Sequence, residues 1–546
     1  MQSSFLGKRA QALFVVGAIA AALTGPALVA QADTKPPSAA TPTTVSTDVL
    51  PTAQIDGVAW KQLVVGNTVY VGGQFTTARP AGAAPGAQTV ARSNFLAYDL
   101  TTGALLPFAP AFNSQVRSLA VSPDQQTLYV GGQFTTVSGV NRYRIAAFDI
   151  ATGALKTSFA AGTNATVYGI AATATTVYLA GSFTSINSQT RNNAAAVTAG
   201  SGALLPFAVT PAGGTIQHVV VSPDGAKVVL GGNFTSMNGS NSPGYGLALV
   251  NATTGASQAL QANTVIRNAG ANSAITSLTV APEGFYGSGY RFGSTSGNLE
   301  GTFKADWSGT LIWVGDCHGD SYSVAAASDQ VYVAGHPHDC SNIGSFPDTE
   351  DPVNYHHGIA LTAARTGSVT KRVTDYYDFR GQPAPSVLNW HPDFTVGTYT
   401  GQSQGPWSVA IGGDYVVYGG EFTKVNGKGQ QGLVRFARPA SAPNLDGPRA
   451  SGTGFNLSGS SAFLSRKNVL RWQANWDRDN TRLVYKLTRD GATINQPTQD
   501  STFWTRPTLT FTDTGVTRGR TYSYVVTATD PFGNTTTSSA VSVTTR

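Results

Sequence analysis

Cysteine and methionine occur only twice each in 546 residues, glutamate only four times (Glu283, Glu300, Glu350, Glu421), and charged residues of all kinds make up 12%. A chain so poor in charge and 41% hydrophobic is neither a solvating tail nor a disordered segment, and it can bury a sizeable core. Glutamate is so scarce that no two acids are presented as a glycosidase's acid and base would be. P-loop, H-E-x-x-H and a G-x-G-x-x-G following a strand are all missing. Gly401-Gln-Ser-Gln-Gly405 matches G-x-S-x-G, but Pro406-Trp407 leads into another strand where a nucleophile elbow needs a helix. Long apolar runs are missing too: that from Ala10 to Leu23 is short for a bilayer and stops at Gly25-Pro26.

The formal charge of +6 is uneven, since residues 33–439 carry 21 Lys and Arg against 22 Asp and Glu while 440–546 carry 12 against 7. A neutral main region excludes nucleic acid as its expected partner, which would want a basic patch interleaved with aromatics. Residues 1–32 have the parts of a secretory signal: Lys8 and Arg9, the apolar run, and Ala30-Gln31-Ala32 as a cleavage site. Export is therefore expected, with residues 33–48, rich in Pro, Ala, Thr and Ser, as a flexible spacer.

What the chain does have is a repeat. Tyr129-Val-Gly-Gly-Gln-Phe-Thr-Thr136 recurs at Tyr70 (YVGGQFTT), Tyr178 (YLAGSFTS), Val229 (VLGGNFTS) and Val417 (VYGGEFT), with worn copies at Tyr286 and Tyr332. Seven copies spaced by 46 to 85 residues, each flanked by β-leaning runs and turn signals, predict a β-propeller. Within the motif strand Val130 and Phe134 share one face and Tyr129 takes the other, so both faces are apolar and stacked neighbours must cover them. Phe75, Phe134, Phe183, Phe234 and Phe422 are the expected anchors between blades. Gly131 and Gly132 weaken a strand, and close backbone approach near the axis is the expected reason for them.

The last copy ends at Leu433-Val-Arg-Phe436 without a fourth strand, while Val49 to Trp60 is strand-like ahead of the first. The N-terminal stretch is thus expected to supply the missing outer strand and close the ring. The organisation expected is a seven-bladed β-propeller at 49–437, a linker at 438–450, and a β-sandwich at 451–546. Trp472 and Thr521-Tyr-Ser-Tyr-Val-Val-Thr-Ala528, with Tyr522 at a tyrosine-corner position, make the last part resemble a fibronectin type III domain. The fold class is all-β throughout.

Cys317 and Cys340 stand in Asp316-Cys-His-Gly-Asp320 and His336-Pro-His-Asp-Cys340. They fit a disulfide, which an oxidising setting favours, or a Cys2His2 zinc site completed by His318 and by His336 or His338. Five of the seven histidines (318, 336, 338, 356, 357) crowd this insertion together with Asp316, Asp320, Asp339, Asp348, Glu350 and Asp351. Asp316, His318, Asp320, His336 and His338 are therefore the candidate ligand or ion site, since binding groups favour insertions on a regular scaffold. A solvated, stapled loop is the alternative. No cofactor is expected beyond a divalent metal at that insertion.

The GG-x-F-T-x-x-x-G segment from Gly131 to Gly139, together with Asp316-Cys-His-Gly-Asp-Ser-Tyr-Ser323 and Gln431-Gly-Leu-Val-Arg-Phe436, resembles the delta-sixty β-propeller repeats of exported proteins of high-GC Gram-positive bacteria. That resemblance implies a propeller and an extracellular or wall-associated setting, and it carries over no catalytic residue. The function expected is non-catalytic: a secreted, monomeric binding or scaffold protein for an extracellular polysaccharide or protein, with the fibronectin-like part as spacer or attachment. The alternatives are a polysaccharide-degrading glycosidase or lyase, and metal-dependent oxidation at Tyr and His ligands on the axis.

Overall fold

A computed structural model describes residues 42–293, 297–348, 354–461 and 466–546. The leader assigned to 1–32, the spacer as far as residue 41, and Glu350 and Asp351 lie outside the described residues.

The second repeat displays the unit plainly. Val116–Val121 pairs antiparallel with Thr127–Gly132, that strand pairs with Ile145–Asp149, and Phe148 bridges Leu155 to begin a fourth strand. Sheets of this pattern follow one another along the chain, their first strands being Val58–Val65, Val116–Val121, Val167–Ala172, Ile216–Val221, Ser273–Ala281, Ser321–Ala326 and Pro406–Gly412. Each first strand touches the next, and the last touches the first. The sheets therefore close around an axis as a β-propeller.

The two-faced motif strand explains why no sheet stands alone. Val130 and Phe134 pack with Tyr70 and Phe95 of the preceding sheet, whereas Tyr129 packs with Val167 and Leu179 of the following one. Phe75, Phe134, Phe183, Phe234 and Phe422 are each at most 1% exposed.

Ring closure is made by the N-terminal stretch. Ser46 N–H donates to the Ala437 carbonyl, and Leu50 forms an antiparallel bridge with Arg435 on the last sheet's third strand. The Arg435 guanidinium, 1% exposed, donates to the carbonyls of Pro51, Leu100 and Thr101 and to Thr52 Oγ1, which ties the last sheet to the first. Residues 44–48, assigned to the spacer from sequence, are buried in this junction, because their backbone completes the last sheet and Thr47 binds Asp479 of the C-terminal part.

Residues 458–546 form two facing sheets. One holds Ser458–Ser461, Asn468–Gln473 and Thr508–Asp513, and the other is built on Arg482–Arg489 and Thr521–Thr529. Trp472, Tyr485, Leu487, Tyr524 and Val526 fill the space between them, and the Tyr522 hydroxyl accepts from Thr517 N–H at 2.8 Å. This part is docked onto the propeller. Phe503 lies 5.6 Å from Phe346, 4.8 Å from His356 and 4.8 Å from His391 between ring centres, while Asn389 Nδ2 donates to the Asp477 carbonyl. Among the described residues no helix is long and apolar enough to cross a membrane.

Candidate functional site

All seven first strands carry a β-bulge at the same place. The pairing register slips between Ala59 and Lys61, Val116 and Ser118, Val167 and Gly169, and Ile216 and His218. It slips again between Ile275 and Ser277, Ser321 and Ser323, and Pro406 and Ser408. The extra residue at each slip has no partner in the ladder, and such a bulge re-aims a side chain. Here the re-aimed residues are Trp60, Arg117, Tyr168 and Gln217, followed round the axis by Thr276, Tyr322 and Trp407. All seven line one axial cavity of about 600 Å³.

The repeated glycines serve this bulge. A Cβ on Gly132 would lie 2.3 Å from the Gln115 carbonyl oxygen, which the slip pushes toward the middle strand, and a Cβ on Gly131 would meet Val167 of the next sheet at 2.8 Å. Gly73, Gly181, Gly232, Gly335 and Gly420 face the corresponding carbonyl in the same way. The close backbone approach expected from sequence is present: each of these glycines meets the backbone of its own sheet's bulged strand, while Gly131 meets side chains of the next sheet.

Five of the seven aimed residues form a continuous arc. Tyr322 and Trp407 lie 4.3 Å apart, Trp407 meets Trp60 edge-on at 5.3 Å, and the Arg117 guanidinium sits 4.2 Å from the Trp60 ring and 5.7 Å from Tyr168. Both indoles are tethered from behind, Trp60 Nε1 donating to Gln115 Oε1 at 2.8 Å and Trp407 Nε1 to the buried Glu421 at 3.1 Å. Tethered rings keep their orientation without a ligand, which lowers the ordering cost of binding one.

Charge in the cavity is sparse and lopsided. Lys61, beside the first bulge, has its ammonium pKa lowered by burial, and burial also lowers that of Arg117 while Tyr168 opposes it. His218 is brought down to about 3 by burial, then by the nearby Lys61 and Arg117, and is neutral at physiological pH. Across the axis, burial raises Asp320 to about 6 although the Tyr322 hydroxyl donates to it at 3.3 Å. Burial and Asp320 together push the Tyr322 phenol far up, so it stays protonated.

The candidate residues read from sequence do not form one site: Asp316 lies 3.4 Å from His318, and Asp320 lies apart with His336. Asp320 reaches the axial cavity, with His336 Nε2 3.9 Å away and His336 Nδ1 facing Tyr322 Oη at 3.2 Å and Gln404 Oε1 at 3.1 Å. Asp316 and His318 instead lie buried outside it: Asn342 Nδ2 donates to Asp316 at 2.6 Å, and the His318 ring stacks on Tyr376 at 3.7 Å. His338 is held by Asp348 at 3.4 Å and Tyr376 at 3.2 Å. The local chain is extended only as far as His318, which pairs antiparallel with Asp339; Gly319 then bends the backbone at φ +116°, and Asp320 reaches the cavity while Asp316 does not. Cys317 and Cys340 are joined as a disulfide, which removes both sulfurs from the zinc set. Among the described residues no three His, Cys, Asp or Glu side chains are placed to hold a metal ion.

No protein-family model matches the chain, and no curated protein matches it. Solved structures do. The crystal structure of RRP9 WD40 repeats matches at TM-score 0.43 and 10% identity, covering 73% of this chain and 99% of that one. The structure of U3-55K matches at 0.42 and 10%, covering 72% and 99%. The β-propeller domain of Myceliophteria thermophila Cps50 (Swd1) matches at 0.38 and 12%, covering 72% and 99%. At these scores the likeness carries no argument, and the propeller rests on the strand order and ring closure described above.

Reading the sequence alone missed the axial ring. A usable signal was present: in the six repeat copies that carry a Gly-Gly or Ala-Gly pair, the pair marks a bulged partner strand, and the aimed residue stands two positions after the carbonyl that its second glycine faces, as Arg117 does after Gln115.

Proposed function

We propose that this chain is a secreted, monomeric, non-catalytic binding protein: a seven-bladed propeller that takes an extracellular glycan into its axial cavity, followed by a fibronectin type III-like sandwich that braces one side of the ring. The reading is that of an exported protein, wall-associated or free, akin to the delta-sixty-repeat propellers. The observation that carries it is the arc of Trp60, Trp407, Tyr322 and Tyr168 around a cavity of about 600 Å³. That size suits a small-molecule or oligosaccharide end, and flat aromatic faces beside Ser, Thr and Gln groups match the mixed apolar and hydroxyl faces of sugar rings.

The experiment is titration calorimetry of the whole chain against a panel of cell-wall and plant oligosaccharides, with Trp60→Ala and Trp407→Ala alongside. Each substitution should weaken binding about tenfold or more, and melting curves establish that each variant is folded. Retention of no glycan, or binding that ignores both tryptophans, would count against the cavity.

A catalytic reading draws on one observation, the carboxyl of Asp320 raised to about 6 inside the cavity. It is the one carboxylate among the described residues that line the cavity, whereas glycoside hydrolysis uses two. Release of new reducing ends from the glycan bound, lost in Asp320→Asn, would establish that reading instead.

A further inference from the structure

We infer that the axial cavity selects an acidic sugar, its anionic group held between Lys61 and Arg117 and its ring laid against Trp60. The inference rests on the cavity being the binding site and adds the class of ligand.

The argument starts from what these two cations lack. Neither Lys61 Nζ nor the Arg117 guanidinium has a hydrogen-bond or ion-pair partner among the described residues, and the contacts of Arg117 are with the faces of Trp60 and Tyr168. Leaving a half-buried cation unpaired is costly unless something else completes it. Three arginines buried elsewhere in this fold are completed: Arg435 by four oxygens, Arg291 by Glu300 at 3.2 Å, and Arg478 by Asp446 at 3.0 Å. The axial pair has no such oxygen among the described residues. Both cations line the cavity on its Trp60 side, Lys61 following Trp60 in the chain and Arg117 lying 4.2 Å from its ring. Asp320, the sole carboxylate among the described residues lining the cavity, is engaged by the Tyr322 hydroxyl on the sixth sheet. An incoming carboxylate or sulfate would meet two partly buried donors, and charge-assisted hydrogen bonds of this kind are the strong ones. Stacking of the guanidinium on indole fixes its plane and leaves its edge N–H groups for such a ligand.

The test uses the full chain and four probes in titration calorimetry: an oligogalacturonate, its carboxyl-reduced neutral counterpart, a sulfated neutral oligosaccharide, and sodium acetate. The acidic oligosaccharides should bind about tenfold or more tighter than the neutral one, with the uronate or the sulfate arm identifying the anionic group. Lys61→Met and Arg117→Met should each remove most of that advantage, lowering affinity for the acidic probes several-fold more than for the neutral one, and Asp320→Asn should tighten the acidic probes. Melting curves of each variant establish that it is folded. Equal affinity for acidic and neutral probes, or an acidic preference that survives both Lys61→Met and Arg117→Met, would overturn the inference. If the neutral probe binds and is lost in Trp60→Ala while the charge substitutions are silent, the charge inference fails and the cavity reading stands. Tight acetate binding without an oligosaccharide preference would overturn the sugar part.

Discussion

Arg435→Ala is the substitution that most directly probes ring closure. The guanidinium donates at 2.5 Å to Pro51 O, at 2.5 Å to Leu100 O, at 2.8 Å to Thr101 O and at 3.2 Å to Thr52 Oγ1. Two of these acceptors belong to the N-terminal stretch that completes the last sheet and two to the first sheet. A hydrogen bond to a charged group contributes about 1.5–3 kcal/mol, but burying the guanidinium opposes this, and burial lowers its pKa. Removing it leaves four oxygens without a donor, for a net loss of about 4 kcal/mol. Unfolding entropy near 60 °C is about 2.1 cal/mol/K per residue, so a propeller of this length has about 0.8 kcal/mol/K and should melt about 5 °C lower. Scanning calorimetry reads that shift, and limited proteolysis should find the segment around residues 44–50 newly cleavable. Arg482→Ala, which loses only an exposed pair with Asp500, is the control and should not move. An Arg435→Ala protein melting within about 1 °C of the parent, with the N-terminal stretch still protected, would refute the closure argument.

Phe134→Ala should lose about 3–5 kcal/mol, because the ring is fully buried between two sheets and 4.7 Å from Phe112; urea unfolding checks it. Gly132→Ala places a Cβ 2.3 Å from the Gln115 carbonyl, so it should cost about 1–3 kcal/mol in urea unfolding and move Arg117 enough to weaken glycan binding. His356, wedged against Phe346 and Phe503, is brought by burial to about 4, below its unfolded value. Its neutral form therefore supports the fold fully above about pH 6.5, and that support is lost as pH falls toward 4, about 2 kcal/mol being gone at pH 5. Asp477, raised to about 8 by burial and then by Asp479, works in the opposite sense, gaining as pH falls. The measurement is therefore a difference: His356→Gln should flatten the loss of stability between pH 7.5 and 5 by about 2 kcal/mol relative to the parent. Identical pH profiles for the two would refute it.

The amino-acid sequence by itself determined the all-β class and the strand pattern of each repeat, because period-two alternation and turn residues act over a few positions. Tyr129 and Val130 show why: their opposite directions follow from strand geometry alone, and the need to cover both faces follows from their being apolar. The end of the last repeat at Phe436, with a spare strand ahead of the first, made ring closure legible in the same local terms. What only the tertiary structure decided is where the chemistry lies. Asp316, His318, Asp320, His336 and His338 are neighbours in the sequence, yet the bend at Gly319, φ +116°, separates Asp320 at the axis from His318 under Tyr376. Trp60, Arg117, Tyr322 and Trp407 stand 57, 205 and 85 positions apart in turn, and Trp407 meets Trp60 only because the ring closes. A bulge costs one residue of register and leaves little trace in composition, while closing the circle converts seven such local slips into one cavity.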